Sequence, residues 1–206
     1  MGMTDASFTS LEEIVRITSN IVRAVDIPVM TDADTGYGNA VNVWWTTKRL
    51  EETGAAGMNL EDQCFPKRCG HIAGKQLISL GEMVGKIRAA VDAKRDPDFV
   101  INARTDAAYV CGIEEAIRRG NAYLEAGADM VFVESPASAE EVKRAIEQIK
   151  GPVSINMLEG GRTPMLTFEE LRQLGAARVS CPMFTSLIAA YALQKGLSYL
   201  MEHGTS

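Results

Sequence analysis

The chain has 206 residues, 46% of them hydrophobic and 23% charged, with a net charge of −6. That length and apolar share suit one globular domain over 1–206 with a sizeable core, and the acidic balance excludes nucleic acid and anionic membranes as natural partners. No stretch reaches the ~20 apolar residues of a spanning helix, residues 1–10 lack the apolar segment of a secretory signal, and Cys64, Cys69, Cys111 and Cys181 show no CxxC spacing for zinc, so free thiols in a reducing cytoplasm are expected.

In chain order, amphipathic stretches at 10–25, 42–53, 79–93, 113–126, 138–149, 167–174 and 185–202 predict helices. Between them lie six short apolar runs centred near Val29, Met58, Val100, Val131, Ile155 and Val179. Capping boxes mark four helix starts: Ser10 with Glu13, Ser79 with Glu82, Ser138 with Glu141 and Thr167 with Glu170. Gly54, Gly127 and Gly175, each followed by alanine, supply a permissive residue after a helix and before the next strand. Trp44, Trp45, Phe99 and the methionines are assigned to the core.

Alternating strand and helix implies parallel strands with helical crossovers, in a doubly wound sheet or a barrel. The dinucleotide fingerprint fails, because Gly36-Tyr37-Gly38 has Val41 where a third glycine belongs, and the segment from Gly70 to Gln76 misses the Walker spacing. Polar residues after nearly every apolar run favour a (β/α)8 TIM-barrel type with its site at the C-terminal rim.

Those rim residues carry the functional reading. Asp32 and Asp34 follow the first run, and Glu61-Asp62-Gln63 follows the second. Hard oxygen ligands converging there suit Mg²⁺ or Mn²⁺ rather than zinc. Cys69 sits between basic residues in Lys67-Arg68-Cys69-Gly70-His71, where its thiol pKa is open to lowering. Arg104 reads as a bidentate clamp for a carboxylate, or alternatively as a structural ion pair with Asp106 or Glu134. Glu134 and Asn156 read as residues that orient substrate or metal-bound water, or as helix caps.

At these residues the chain resembles the isocitrate lyase/phosphoenolpyruvate mutase superfamily, through DADTGYGN, GMNLEDQ, PKRCGH, MVGKIRAAVDA, INARTDA, EAGAD and NMLEGGRTP. The resemblance implies Mg²⁺ (or Mn²⁺) held by Asp32, Asp34, Asp5 and Glu61. It implies catalytic roles for Cys69, Lys67 and Arg104, and substrate contacts from Gly70, His71, Arg104, Glu134 and Asn156. The cysteine looks like the lyase branch, and the implied activity is cleavage of a C–C bond in a 2-hydroxy or 2-oxo di- or tricarboxylic acid, as in 2-methylisocitrate lyases, releasing pyruvate. A small carboxylic-acid substrate and a homo-oligomer are the implied partners. Relatives place an arginine where this chain has Thr185-Ser186-Leu187, which keeps carboxyphosphonoenolpyruvate phosphonomutase and oxaloacetate decarboxylase chemistry as alternatives, along with an inactive subunit or binding module.

Six strands stand where a barrel of this type has eight. The expectation is therefore an open arc of six parallel strands, incomplete at both ends. Asp32, Glu61, Arg104 and Glu134 should line one rim, with 1–10 weakly anchored.

Overall fold

The computed structural model of the chain describes residues 4–70 and 72–205. Six strands, β1 (Met30–Asp32), β2 (Gly57–Glu61), β3 (Val100–Thr105), β4 (Met130–Val133), β5 (Val153–Asn156) and β6 (Arg178–Ser180), form one sheet in sequential order, every pair parallel. The sheet curls into a half-barrel, and among the described residues no ladder joins β6 back to β1. The expected open arc is what forms.

The crossover helices are α1 (Leu11–Ala24), α2 (Ala40–Glu51), α3 (Leu80–Ala93), α5 (Ile113–Glu125), α6 (Ala139–Gln148), α7 (Phe168–Leu174) and α8 (Phe184–His203), with one extra turn, α4 (Ala107–Val110), just after β3. Full capping boxes form at Ser10 and Thr167. At Ser79 and Ser138 only the hydroxyl half forms; after Ser138, Glu141 reaches instead to the Ala137 amide, 2.6 Å away. Helix α2 begins two residues before the expected start, since the side chain of Asn39 caps it and Asn42 completes an Asn–Asn box. Gly54, Gly127 and Gly175 all adopt the left-handed conformation at which a side chain is strained.

Alternation along the strands separates two faces. Met58, Leu60, Ile101, Ala103, Val131, Val133, Val153 and Ile155 are buried with side chains from the helices. The opposite, concave face is polar: Asn102 donates to Asn59 (2.8 Å), Arg178 to Ser154 (3.0 Å) and Ser180 to Asn156 (2.7 Å). The core assignment holds for Phe99, Met58 and Met83 but not for Trp45, which is exposed beneath Arg49, nor for Met165, Met183 and Met201. Helical periodicity turns Trp45 outward while Val43, Thr46 and Thr47 take the inner face of α2.

The region expected to be weakly anchored is tied down where it is described. Asp5 pairs with Lys67 at 2.7 Å, and the Lys67 amide donates to Ser7 at 3.1 Å.

Candidate active site

Register sets the rim. Asp32 lies beside Asn59, and Glu61 lies beside Arg104 on the neighbouring strand. Both Glu61 and Arg104 point to the concave side, so a carboxylate and a guanidinium face each other at the strand ends. Arg104 meets Glu61 at 3.2 Å, Asp106 at 2.9 Å and Glu134 at 3.2 Å. Its plane also lies 5.2 Å from the Phe132 ring centre. The structural ion pair and the clamp are thus the same residue, with three acids around one fork.

Burial and charge set the protonation of this cluster. Burial alone would lower the Arg104 pKa, yet Asp106, Glu61 and Glu134 hold it well above its usual range. Burial raises Glu61 well above an ordinary carboxylate, and Arg104 only partly offsets that. Asp106 goes the other way, because the Arg104 charge and hydrogen bond outweigh its burial. Glu61 Oε1 is buried and accepts no hydrogen bond from the described residues.

The turn after β1 presents Asp32 and Asp34, and its backbone groups are almost fully assigned. Asp34 sits at φ 53° and Gly36 at φ 87°. The Asp34 amide donates to Asp32 (2.8 Å), and the Ala33 carbonyl accepts from Gly36 (2.8 Å). Asp34 O accepts from the Glu61 amide (2.9 Å), Thr35 O from the buried Lys86 ammonium of α3 (3.0 Å), and Gly36 O from Thr46 (3.2 Å). Two acidic strand exits are thereby held in one fixed relation.

Lys67 stands among these acids instead of facing the mouth. Its ammonium is 2.7 Å from Asp5, 2.9 Å from Asp34 and 4.0 Å from Glu61. Burial would lower its pKa, but Glu61, Asp32 and Asp34 together raise it above the usual lysine value. In this arrangement Lys67 is a fixed cation and not a proton acceptor. Burial raises Asp34, with Lys67 opposing.

The segment that carries Cys69 lies across the rim. Gln63 accepts from the Arg68 amide (3.0 Å) and donates to its carbonyl (2.8 Å). Gly70 is packed so closely on Arg104 and Glu134 that any side chain there would collide with both. Its carbonyl accepts from Ser135 (3.1 Å) and from the Lys75 ammonium. Lys75 also lies 3.5 Å from Asp106 and 3.9 Å from the Tyr109 ring centre. Cys69 is partly exposed, and among the described residues none of the four cysteines is paired in a disulfide. Asn156 donates to Glu134 at 3.3 Å and closes the rim towards β6. His71 lies outside the described residues.

Sequence reasoning passed over the groups behind this layer. Fully buried Asp62 accepts from Thr105 (2.7 Å), the Asp106 amide (3.0 Å), Arg119 (3.1 Å) and Tyr123 (2.7 Å). Arg119 also donates to Ile78 O (3.1 Å) and Glu115 (2.9 Å). The available signal was Asp62 itself, an acid one residue past the strand-end Glu61, which alternation must turn to the opposite, buried side. Lys75 and Lys86 carried no such mark.

The acids fit a hard divalent cation in donor chemistry. Asp32, Asp34 and Glu61 present carboxylate oxygens, of which Asp34 Oδ1 and Glu61 Oε1 are buried with no hydrogen bond among the described residues, and a small cavity of about 80 Å³ lies between Asp5, Asp32, Asp34, Tyr37 and Lys67. Among the described residues no three Asp, Glu, Cys or His side chains close into a ready cation cage, since the lysine stands between them.

Parallel strands, helical crossovers and a charged rim at the strand C-termini define a protein of the (β/α)-barrel type with a carboxylate-rich rim site. A family model described as phosphoenolpyruvate phosphomutase matches residues 1–201, and the chain belongs to that family, within the isocitrate lyase/phosphoenolpyruvate mutase superfamily. It is 49% identical over 193 residues to 2,3-dimethylmalate lyase of Eubacterium barkeri, covering 94% of this chain and 67% of that one. It is 44% identical over 205 residues to 2-methylisocitrate lyase of Aeropyrum pernix, covering 100% of this chain and 66% of the other. The chain thus spans about two thirds of the length of these curated relatives. Among solved structures, oxaloacetate acetylhydrolase bound to 3,3-difluorooxalacetate superposes with TM-score 0.95 at 35% identity, over 100% of this chain and 71% of that chain. A phosphonopyruvate hydrolase complex with oxalate and Mg²⁺ superposes with TM-score 0.84 at 31% identity, over 97% and 70%.

Proposed function

We propose that the chain carries the site of a Mg²⁺-dependent carbon–carbon lyase acting on a 2-hydroxy di- or tricarboxylic acid, of the 2-methylisocitrate or 2,3-dimethylmalate kind. The observation that carries the reading is the seating of Arg104 beside Glu61, Asp106 and Glu134, with the Cys69–Gly70 segment packed directly upon it. The similarity to two lyases of methyl-branched substrates supports it.

The proposed chemistry is a retro-aldol cleavage. A proton leaves the C2 hydroxyl, the C2–C3 bond breaks, and its electron pair stays on C3, next to a carboxylate. C2 becomes the keto carbon of pyruvate. Arg104 binds the C1 carboxylate and stabilises negative charge developing on the C2 oxygen. Glu134, beside Arg104 and outside the set that would hold the cation, is the rim carboxylate placed to take the hydroxyl proton. Cys69 returns a proton to C3, giving the second carboxylic acid. Asp32, Asp34, Asp5 and Glu61 would hold the divalent cation, whose contribution when bound is Lewis-acid polarisation of the 2-oxygen. Asn156 and Glu134 orient the bound acid. A cytoplasmic homo-oligomer is the proposed setting; among the described residues no helix is long and apolar enough to cross a membrane.

A second reading, cleavage of a 2-oxo acid such as oxaloacetate, is favoured by the superposition on oxaloacetate acetylhydrolase and by Thr185-Ser186-Leu187 in the first turn of α8, which offers no second cationic clamp. The deciding experiment is a substrate panel, with Mg²⁺ and with EDTA, assayed both for pyruvate release and for consumption of oxaloacetate. Pyruvate from 2,3-dimethylmalate or 2-methylisocitrate, abolished by EDTA, supports the lyase. Turnover of oxaloacetate alone, or turnover indifferent to EDTA, rejects it.

A further inference from the structure

The ladder between β2 and β3 ends at the pair Glu61 and Arg104, the two opposed charges of the rim. One residue further on, a side chain takes over from the backbone. Asp62 Oδ1 accepts from the Asp106 amide (3.0 Å) and Oδ2 from the Thr105 hydroxyl (2.7 Å). A single buried carboxylate, on the face away from the site, thus ties the exit of β2 to the exit of β3. Both exits carry rim charges: Glu61 directly precedes Asp62, and Arg104 and Asp106 flank Thr105.

That carboxylate is held in turn from α5. Arg119 Nη1 lies 3.1 Å from Asp62 Oδ2, and the Tyr123 hydroxyl, one turn further along the helix, donates to the same oxygen at 2.7 Å. Arg119 Nη2 donates to Ile78 O (3.1 Å), while the Ile78 amide donates to Asp62 O (3.0 Å). A closed ring of hydrogen bonds therefore runs from Asp62 through Ile78 and Arg119 back to Asp62. Glu115 takes the remaining nitrogen, Nε, at 2.9 Å, so the guanidinium has no freedom to turn. Without Arg119, the Asp62 charge would stay buried with only neutral donors around it, and its grip on Thr105 and the Asp106 amide would change.

We propose that Arg119 is a positioning residue of the rim: acting through Asp62 from the far side of the sheet, it sets where Glu61 and Arg104 stand. This rests on the lyase reading, in which Arg104 binds a carboxylate. A misplacement of about 1 Å is enough to cost on the order of a hundredfold in rate, so a residue behind the sheet reaches the chemistry through two hydrogen-bonded neighbours.

The test reads affinity in the folded protein and not its stability. Oxalate, a planar dianion with the shape of a pyruvate enolate, is the probe, titrated calorimetrically with Mg²⁺ in both solutions. Arg119→Met should weaken oxalate binding at least about tenfold, with one site per folded molecule retained. Tyr123→Phe, which keeps the ring and loses one donor to Asp62, should weaken it about threefold, and it serves if Arg119→Met fails to fold. Leu171→Ala empties a fully buried position in α7, away from this ring. It should lower the melting temperature and leave oxalate affinity within about twofold. Unchanged affinity in folded Arg119→Met, unchanged affinity in Tyr123→Phe, or equal weakening by Leu171→Ala each overturns the proposal. A wild type that does not bind oxalate with Mg²⁺ overturns the lyase reading itself, and the proposal with it.

Discussion

The rim formed by β1 to β4 and the end formed by β6 and α8 handle burial in opposite ways. At the rim, charged groups are buried and nearly every one is answered: Arg104 by three acids, Asp62 by four donors, Lys86 by a carbonyl. At the other end, α8 has no buried residue, and Leu193, Leu197, Tyr191 and Met201 stand in the open. The first region spends its buried volume on holding charges in a strained company, which is useful for chemistry and costly for stability. The second makes little demand on the site. The comparison teaches that buried charge gathers on the β1–β4 half, while α8 leaves an apolar surface exposed.

The largest expected effect breaks the rim. Arg104→Met removes the one cation shared by Glu61, Asp106 and Glu134. It should cost about 3–5 kcal/mol of stability, measured by urea unfolding, and on the order of a thousandfold in kcat/KM. A variant of normal stability and activity would show that the rim charges are not coupled as the distances indicate.

Next in size, Asp32→Ala should abolish Mg²⁺-dependent turnover, because one hard ligand is lost from a site with few protein donors. Full activity in this variant, or of the wild type in EDTA, removes the metal reading. Cys69→Ser should keep KM and lose most of kcat, since a hydroxyl is far too weak an acid to replace the thiol. Unchanged kcat with weakened binding would make Cys69 a loop contact, and would favour the phosphonomutase or decarboxylase chemistry.

Glu61→Gln sharpens the contrast between stability and function. The folded-state pKa of Glu61 is raised, so the folded protein holds that proton more tightly than the unfolded chain does. Its contribution is therefore favourable at low pH and is lost as pH rises from the ordinary glutamate range through the raised value. Glutamine lacks this dependence. The melting temperature of Glu61→Gln relative to wild type should increase with pH across that window, while activity falls. A constant or decreasing difference would mean that burial does not set the proton affinity of Glu61.

The smallest effect lies at the other region. Leu193→Lys with Met201→Lys replaces two side chains that are 66% and 85% exposed. Stability should shift by no more than ~0.5 kcal/mol, and metal binding not at all, while self-association seen by light scattering should decrease. A loss of Mn²⁺ affinity would tie α8 to the rim after all.

Much of this was legible in the amino-acid sequence, for local reasons. Six apolar runs between amphipathic stretches require parallel strands with crossovers, glycine must follow helices that end in a left-handed turn, and charge must sit at strand exits because the strands themselves are buried. Asp32, Asp34, Glu61, Arg104, Glu134 and Asn156 are therefore legible as rim residues from the sequence alone. What only the tertiary structure decided is which of them meet. Lys67 is near Cys69 in sequence, yet its ammonium lies with Asp5 and Asp34, because the segment folds back across β1. Lys86 reaches the Asp34 turn across 51 residues of chain, and Asp62 gathers donors from β3 and α5. Trp45 faces outward because α2 has one buried face and a rotation of a single residue decides its side. Periodicity fixes the face of each element; the partners on that face depend on strand register and helix packing, which arise only when distant segments compete to satisfy the same buried charges.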